Sequence, residues 1–157
     1  MCGIVGYIGE REVVPLLLEG LQSLAYRGYD SAGVVVLRGG ELLASRAEGK
    51  LENLVQKLDS EPLSGTYGLG HTRWATHGAP SVRNAHPIVD AKRQLALIHN
   101  GIIENFLVLK EQLQTAGWEF SSDTDTEVVA NLISSHLDGD LGAAVRAAMK
   151  ELEGLFA

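Results

Sequence analysis

The sequence predicts a single domain of mixed strands and helices, and three observations carry that prediction. Short apolar runs recur at strand length, amphipathic helical segments lie between them, and one pair of runs is joined by a Gly39-Gly40 hairpin turn. No internal repeat, low-complexity tract or linker divides the chain, so one domain is expected over residues 1–157. Residues 2–8 alternate Gly with Ile, Val and Tyr and predict a first strand. Residues 11–25 carry Val13, Val14, Leu16, Leu17, Leu18, Leu21 and Leu24 at helical spacing, with Pro15 near the start. Arg27-Gly28-Tyr29-Asp30 reads as a turn. Val34 to Leu37 and Leu42 to Ala47 are the two arms of the hairpin. Residues 50–58 predict a short amphipathic helix, and residues 66–73 a strand. A loop rich in His, Gly and Pro then runs through Pro87. Leu95 to His99 reads as a buried strand ending in Asn100-Gly101. Helices follow at about 104–115, from the Thr124-Asp125-Thr126-Glu127 capping box to about His136, and over about 141–152. Gly154-Leu155-Phe156-Ala157 looks like a helix exit followed by the first residues of an apolar strand.

Composition narrows the function classes. The chain has 157 residues, of which 45% are hydrophobic and 21% charged, the balance of an ordinary soluble domain. A lone cysteine, Cys2, cannot form an internal disulfide. No apolar run is long enough to cross a bilayer, so no membrane partner is expected. The 20 acidic against 13 basic residues give a net charge of −7, which argues against a nucleic-acid partner. The N-terminus lacks the basic-then-apolar pattern of a secretory signal, and a cytoplasmic protein is expected.

Position 2 matters chemically. Removal of Met1 would leave Cys2 with a thiol and a free α-amine on one carbon. That amine, with an ordinary pKa of about 8, can accept the thiol proton directly or through water. An N-terminal nucleophile therefore brings its own general base. By position alone, Cys2 reads first as a small apolar residue opening a buried strand, and the rest of the chain has to raise the catalytic reading.

Three polar segments stand at strand or helix ends. In Gly70-His71-Thr72-Arg73-Trp74-Ala75-Thr76-His77-Gly78, Arg73 offers a planar fork suited to a carboxylate. Thr76 adds a hydroxyl, and Trp74 can wall a pocket. His71, His77 and His86 lack metal-ligand spacing, and no acidic ligand sits beside them, so no metal is expected. Asn100-Gly101 can present a side-chain amide and a backbone N–H in one direction, as an oxyanion hole requires, or can be a plain turn. In Ser122 to Glu127, an acidic residue is favoured by the helix dipole alone, or serves an ammonium group of a ligand. Taken together, Arg73 for a carboxylate, Asp125 for an ammonium, Cys2 as nucleophile and Asn100 with Gly101 for an oxyanion suit an amino acid with a side-chain amide.

These residues sit in stretches that resemble a known family. Cys2 to Gly6, Tyr26 to Gly33, His71 to Gly78, Asn84 to Pro87, His99 to Asn105 and Thr124 to Val128 resemble the glutaminase domain of glutamine–fructose-6-phosphate aminotransferases, in that family's order. The resemblance implies an N-terminal-nucleophile hydrolase fold, a four-layer α/β/β/α sandwich of antiparallel sheets between helices, here C-terminally incomplete. It implies hydrolysis of glutamine to glutamate and ammonia through a Cys2 thioester, with no cofactor. It assigns the oxyanion hole to Asn100 and Gly101, the glutamine carboxylate to Arg73 and its α-amine to Asp125. It places Trp74, Thr76 and His77 in the loop over the glutamine, and Arg27 beside the nucleophile in a supporting role. The full-length protein would carry a C-terminal sugar isomerase domain, absent here, that uses the ammonia to make glucosamine 6-phosphate from fructose 6-phosphate, and a homo-oligomer is expected of it. Two alternatives stand beside this reading: the glutaminase part of another amidotransferase, such as an amidophosphoribosyltransferase, and an inactive glutamine-binding fragment.

Overall fold

In the computed structural model, residues 2–75 and 78–157 are described, the Arg27 side chain apart. The expectations for Thr76, His77 and the Arg27 side chain therefore lie outside the described residues. The chain divides into two compact units, one ending at Pro87 and the other Ile88–Ala157.

The first unit holds β1 (Gly3–Ile8), α1 (Val13–Leu24), β2 (Ser31–Arg38), β3 (Glu41–Glu48), α2 (Leu51–Ser60) and β4 (Tyr67–Arg73). Its sheet is antiparallel in the order β1-β4-β2-β3. The expected hairpin closes at the Arg38–Glu41 pair. Gly39 and Gly40 have φ of +59° and +85°, which the two central residues of a tight hairpin turn require. In α1, Val13, Val14, Leu17 and Leu21 form one buried stripe. That stripe lies on β4 because Gly68 and Gly70 leave room: a Cβ on Gly70 would come 3.1 Å from Leu21 and 3.3 Å from Leu17. Leu51, Leu54 and Leu58 of α2 complete the same core. The Tyr29 hydroxyl accepts the N–H of Leu51 at 2.9 Å and so fixes the start of α2.

The second unit holds β5 (Ile88–Val89), β6 (Ala96–Leu97), β7 (Gly101–Ile103), α3 (Phe106–Thr115), α4 (Asp125–Ser135), α5 (Leu141–Ala148) and β8 (Gly154–Phe156). β5 pairs with β6 and β7 with β8, both antiparallel. α4 is central to this core, with every residue from Asp125 to Ser134 buried. The strand expected over Leu95 to His99 is limited to β6. Asn100-Gly101, expected to end that strand, instead opens a new one, because Asn100 exchanges both backbone hydrogen bonds with Ala157 at 2.9 and 2.8 Å. The apolar strand expected after Gly154 is β8.

Candidate active site

In the first unit, the candidate residues gather where β1 begins and β4 ends. The Gly3–Thr72 pair is the last of the β1–β4 ladder, and the Gly3 N–H donates to the Thr72 hydroxyl at 3.1 Å. Cys2 is thereby carried to the end of β4. Its Sγ accepts the Trp74 N–H at 3.2 Å and faces the Trp74 carbonyl at 3.7 Å. Cys2 as a residue is half-buried. Arg73, the last residue of β4, is 3% exposed and donates from Nη2 to the carbonyl of Gly78 at 3.3 Å. The Trp74 side chain is 56% exposed and lies over Gly28, where a Cβ would come within 3.4 Å of its ring. Gly28 also has φ of +71°, a second reason for glycine there.

His71 and His86 are both buried, with ring centroids 4.8 Å apart. Asn84 closes the following loop on itself, donating to the carbonyl of Ala79 at 2.9 Å. Gly33 is required at this point, since a Cβ would stand 2.3 Å from the carbonyl oxygen of His86.

In the second unit, the candidates gather around the N-terminus of α4. Thr124 caps the helix by accepting the Glu127 N–H at 3.3 Å. The other half of the expected capping box is not formed. Glu127 turns instead to Ser121 and Ser122, accepting both N–H groups and both hydroxyls at 2.6 to 2.8 Å. Four donors to one buried carboxylate outweigh the single N–H that a capping box would supply.

Asp125, 3% exposed, accepts the Ile103 N–H on Oδ2 at 3.0 Å. Thr126 contacts His99 Nδ1 through its hydroxyl at 3.0 Å. The first turn of α4 thus grips the chain on both sides of Asn100-Gly101. The ladder explains which way that segment faces. Asn100 and Glu104 bond to the β8 side through Ala157 and Glu153, so Gly101 and Ile103 occupy the intervening positions of the β7–β8 ladder. At such positions the N–H points away from the paired strand. The Gly101 N–H consequently leaves β7 on the same edge as the Ile103 N–H that Asp125 accepts. Gly101 cannot be replaced by a larger residue without strain: φ is +131°, and a Cβ would come 2.2 Å from the carbonyl of Leu155.

Within each unit the structure brings the expected residues together: Cys2, Arg73 and Trp74 in one, Asn100, Gly101 and Asp125 in the other. Sequence reasoning missed two anchoring groups. Asp30 was expected only as part of a turn, yet its carboxylate accepts the Ala75 N–H at 2.5 Å. Glu127 was expected as a cap, yet it anchors the preceding loop. The signal available for Asp30 was an acidic residue directly before β2, whose first residue Ser31 pairs with Arg73 at the end of β4.

Residues 59–157 match the model of the glutamine amidotransferase domain family. The glutamine–fructose-6-phosphate aminotransferases (isomerizing) of Symbiobacterium thermophilum and Mesorhizobium japonicum are 53% and 54% identical to the chain over 157 and 159 aligned residues. That of Aquifex aeolicus is 50% identical over 157. All of this chain is covered in each case, but it spans only 26% of the relatives' length. Among solved structures, the glutamine phosphoribosylpyrophosphate amidotransferase from B. subtilis aligns with a TM-score of 0.84 at 30% identity, covering 99% of this chain and 34% of its own. A structure described as the allosteric regulatory enzyme of purine biosynthesis gives 0.84 at 31%, covering 100% and 34%. The expected α+β N-terminal-nucleophile fold is therefore observed, with antiparallel sheets and flanking helices. With a family model matching most of its length and whole-chain likeness to a solved amidotransferase, the chain belongs to the glutamine amidotransferase domain family.

Proposed function

We propose that the chain is a glutaminase domain over residues 1–157, hydrolysing glutamine to glutamate and ammonia with Cys2 as N-terminal nucleophile. The observation that carries this reading is the placement of Cys2 Sγ against the Trp74 peptide at the end of β4, in a chain of the glutamine amidotransferase family. Once Met1 is removed, the α-amine of Cys2 takes the thiol proton. Sγ attacks the glutamine Cδ, a C–S bond forms, and the carbonyl oxygen becomes an oxyanion. Asn100 and the Gly101 N–H are assigned to that oxyanion, a group of donors of the kind that is worth about 3 kcal/mol each in acyl transfer. The protonated amine gives its proton to the leaving nitrogen, the C–N bond breaks, and ammonia departs. Water then attacks the γ-glutamyl thioester through a second oxyanion, the C–S bond breaks, and glutamate leaves.

Arg73 is assigned to the α-carboxylate of glutamine and Asp125 to its α-ammonium. Trp74, Thr76 and His77 are assigned to the loop over the substrate, and Arg27 to support of the nucleophile. In the longer protein the ammonia would pass to a sugar isomerase domain that converts fructose 6-phosphate to glucosamine 6-phosphate, within a homo-oligomer. The 50–54% identity to the aminotransferases supports this acceptor over a phosphoribosyl one, for which identity is 30%. A thiol that must stay reduced suits the cytoplasm.

The test is glutamate release from glutamine by the purified chain, with Met1 removal read by intact mass. Turnover that disappears in Cys2→Ala supports the reading. Turnover that survives Cys2→Ala overturns it.

A further inference from the structure

The peptide between Asn100 and Gly101 is of the kind that can turn over. A peptide plane reverses when ψ of the residue before it and φ of the residue after it change in opposite senses, and glycine accepts φ of either sign. β8 fixes which way this plane faces. The Asn100 carbonyl accepts the Ala157 N–H at 2.8 Å, and the Asn100 N–H donates to the Ala157 carbonyl at 2.9 Å. The first of these bonds is made by the Asn100–Gly101 peptide itself. With its carbonyl drawn toward β8, the same planar trans unit must aim its N–H the other way. That is the edge on which the Ile103 N–H meets Asp125.

We propose that Ala157 is a positioning residue for the oxyanion hole, its N–H holding the Asn100–Gly101 peptide in the orientation that offers the Gly101 N–H to the reacting carbonyl. This rests on the assignment of Asn100 and Gly101 to the oxyanion. Turned over, the peptide would present the Asn100 carbonyl oxygen in place of the N–H, a partial negative charge against the developing one. The other anchors of β8 do not depend on the Ala157 N–H. The Glu104 N–H donates to the Glu153 carbonyl at 2.8 Å. The Asn105 side chain accepts the Glu153 N–H at 3.1 Å and donates to the Glu151 carbonyl at 2.7 Å. Leu155 pairs with Ile102 in the ladder, and the Phe156 ring lies 6.1 Å from that of His99 between centroids. Loss of one N–H at position 157 therefore releases the peptide and leaves the strand docked.

The experiment compares the 157-residue chain with Ala157→Pro, which removes that N–H and keeps the carbonyl. Ala157→Ser keeps both backbone groups and is the control. The first readout is the residual dipolar coupling of the Gly101 N–H in an aligned NMR sample, which measures the direction of that bond without turnover. It is expected to change in Ala157→Pro while the coupling of Ile103 is retained. The second is steady-state glutaminase kinetics. Here kcat is expected to fall about tenfold or more, with the KM for glutamine within about twofold, because the groups assigned to its carboxylate and ammonium are untouched. Ala157→Ser is expected to match the parent in both. An unchanged Gly101 coupling, an unchanged kcat or a loss confined to KM overturns the proposal. Should proline undock β8, as altered couplings at Ile102 and Ile103 would reveal, L-lactic acid at position 157 removes the N–H as an ester without the ring and is judged by the same outcomes. A parent chain that releases no glutamate would fail the glutaminase reading by its own test, and the Gly101 coupling alone would then decide whether Ala157 sets the peptide.

Discussion

Gly101 shows how narrow the tolerance is at single positions. Its φ of +131° lies where only glycine is comfortable, and the space a Cβ needs holds the carbonyl of Leu155. Gly101→Ala is expected to destabilise the chain by about 2–4 kcal/mol and to abolish glutamate release. Urea unfolding and a glutaminase assay check both, and an unchanged midpoint with normal turnover would refute the assignment. Arg73 makes a different prediction, because its role depends on the shape of the group as much as its charge. Its fork already donates from Nη2 to the carbonyl of Gly78. A lysine keeps the charge but not the two-pronged geometry. Arg73→Lys is expected to raise the KM for glutamine by about tenfold or more, with a smaller change in kcat. Steady-state kinetics separate the two, and a loss confined to kcat would place Arg73 elsewhere in the reaction.

Secondary structure was legible in proportion to how local its causes are. The β2–β3 hairpin followed from two adjacent glycines, and α4 from a threonine cap three residues before Glu127. What escaped was pairing between distant segments. Nothing near Asn100 in sequence announces that Ala157 will take both its backbone hydrogen bonds, so a strand opening was read as a strand end. Likewise Asp30 and Ala75 are 45 residues apart, and the clamp between them has no local signature. Glu127 lies between these cases. Its position in the helix was legible, while the loop it anchors was not. Because Ser121 and Ser122 donate to it through two N–H groups that cannot reverse direction, an amide in its place must set its NH2 against a donor. Glu127→Gln is expected to cost about 2–3 kcal/mol. It should also raise the KM for glutamine, since Asp125 stands two residues away on the same helix turn. Denaturant unfolding and kinetics test this, and wild-type values for both would show that the carboxylate is dispensable.

Across the whole molecule, the residues assigned to glutamine fall on both sides of Pro87, so the chemistry cannot be read from either unit's sequence alone. The reading depended on combining segments that are individually ambiguous: a cysteine near the start, an arginine at a strand end, an Asn-Gly pair, an acidic helix N-terminus. What makes them one hypothesis is that each supplies a different requirement of amide hydrolysis. The requirement that local sequence expresses most directly is the general base, because no histidine is assigned to that role and the α-amine of Cys2 must provide it. A peptide bond to Met1 converts that amine to an amide, which is not basic. The chain with Met1 retained, or with any N-terminal extension, should fold as the processed chain does and release no glutamate. A C-terminal extension of the same length should leave turnover intact. Intact mass paired with the glutaminase assay, before and after proteolytic exposure of Cys2, measures this directly. Activity that appears only when Cys2 becomes the first residue identifies the α-amine as the base, whereas equal activity from the extended chain would require a base elsewhere in the molecule.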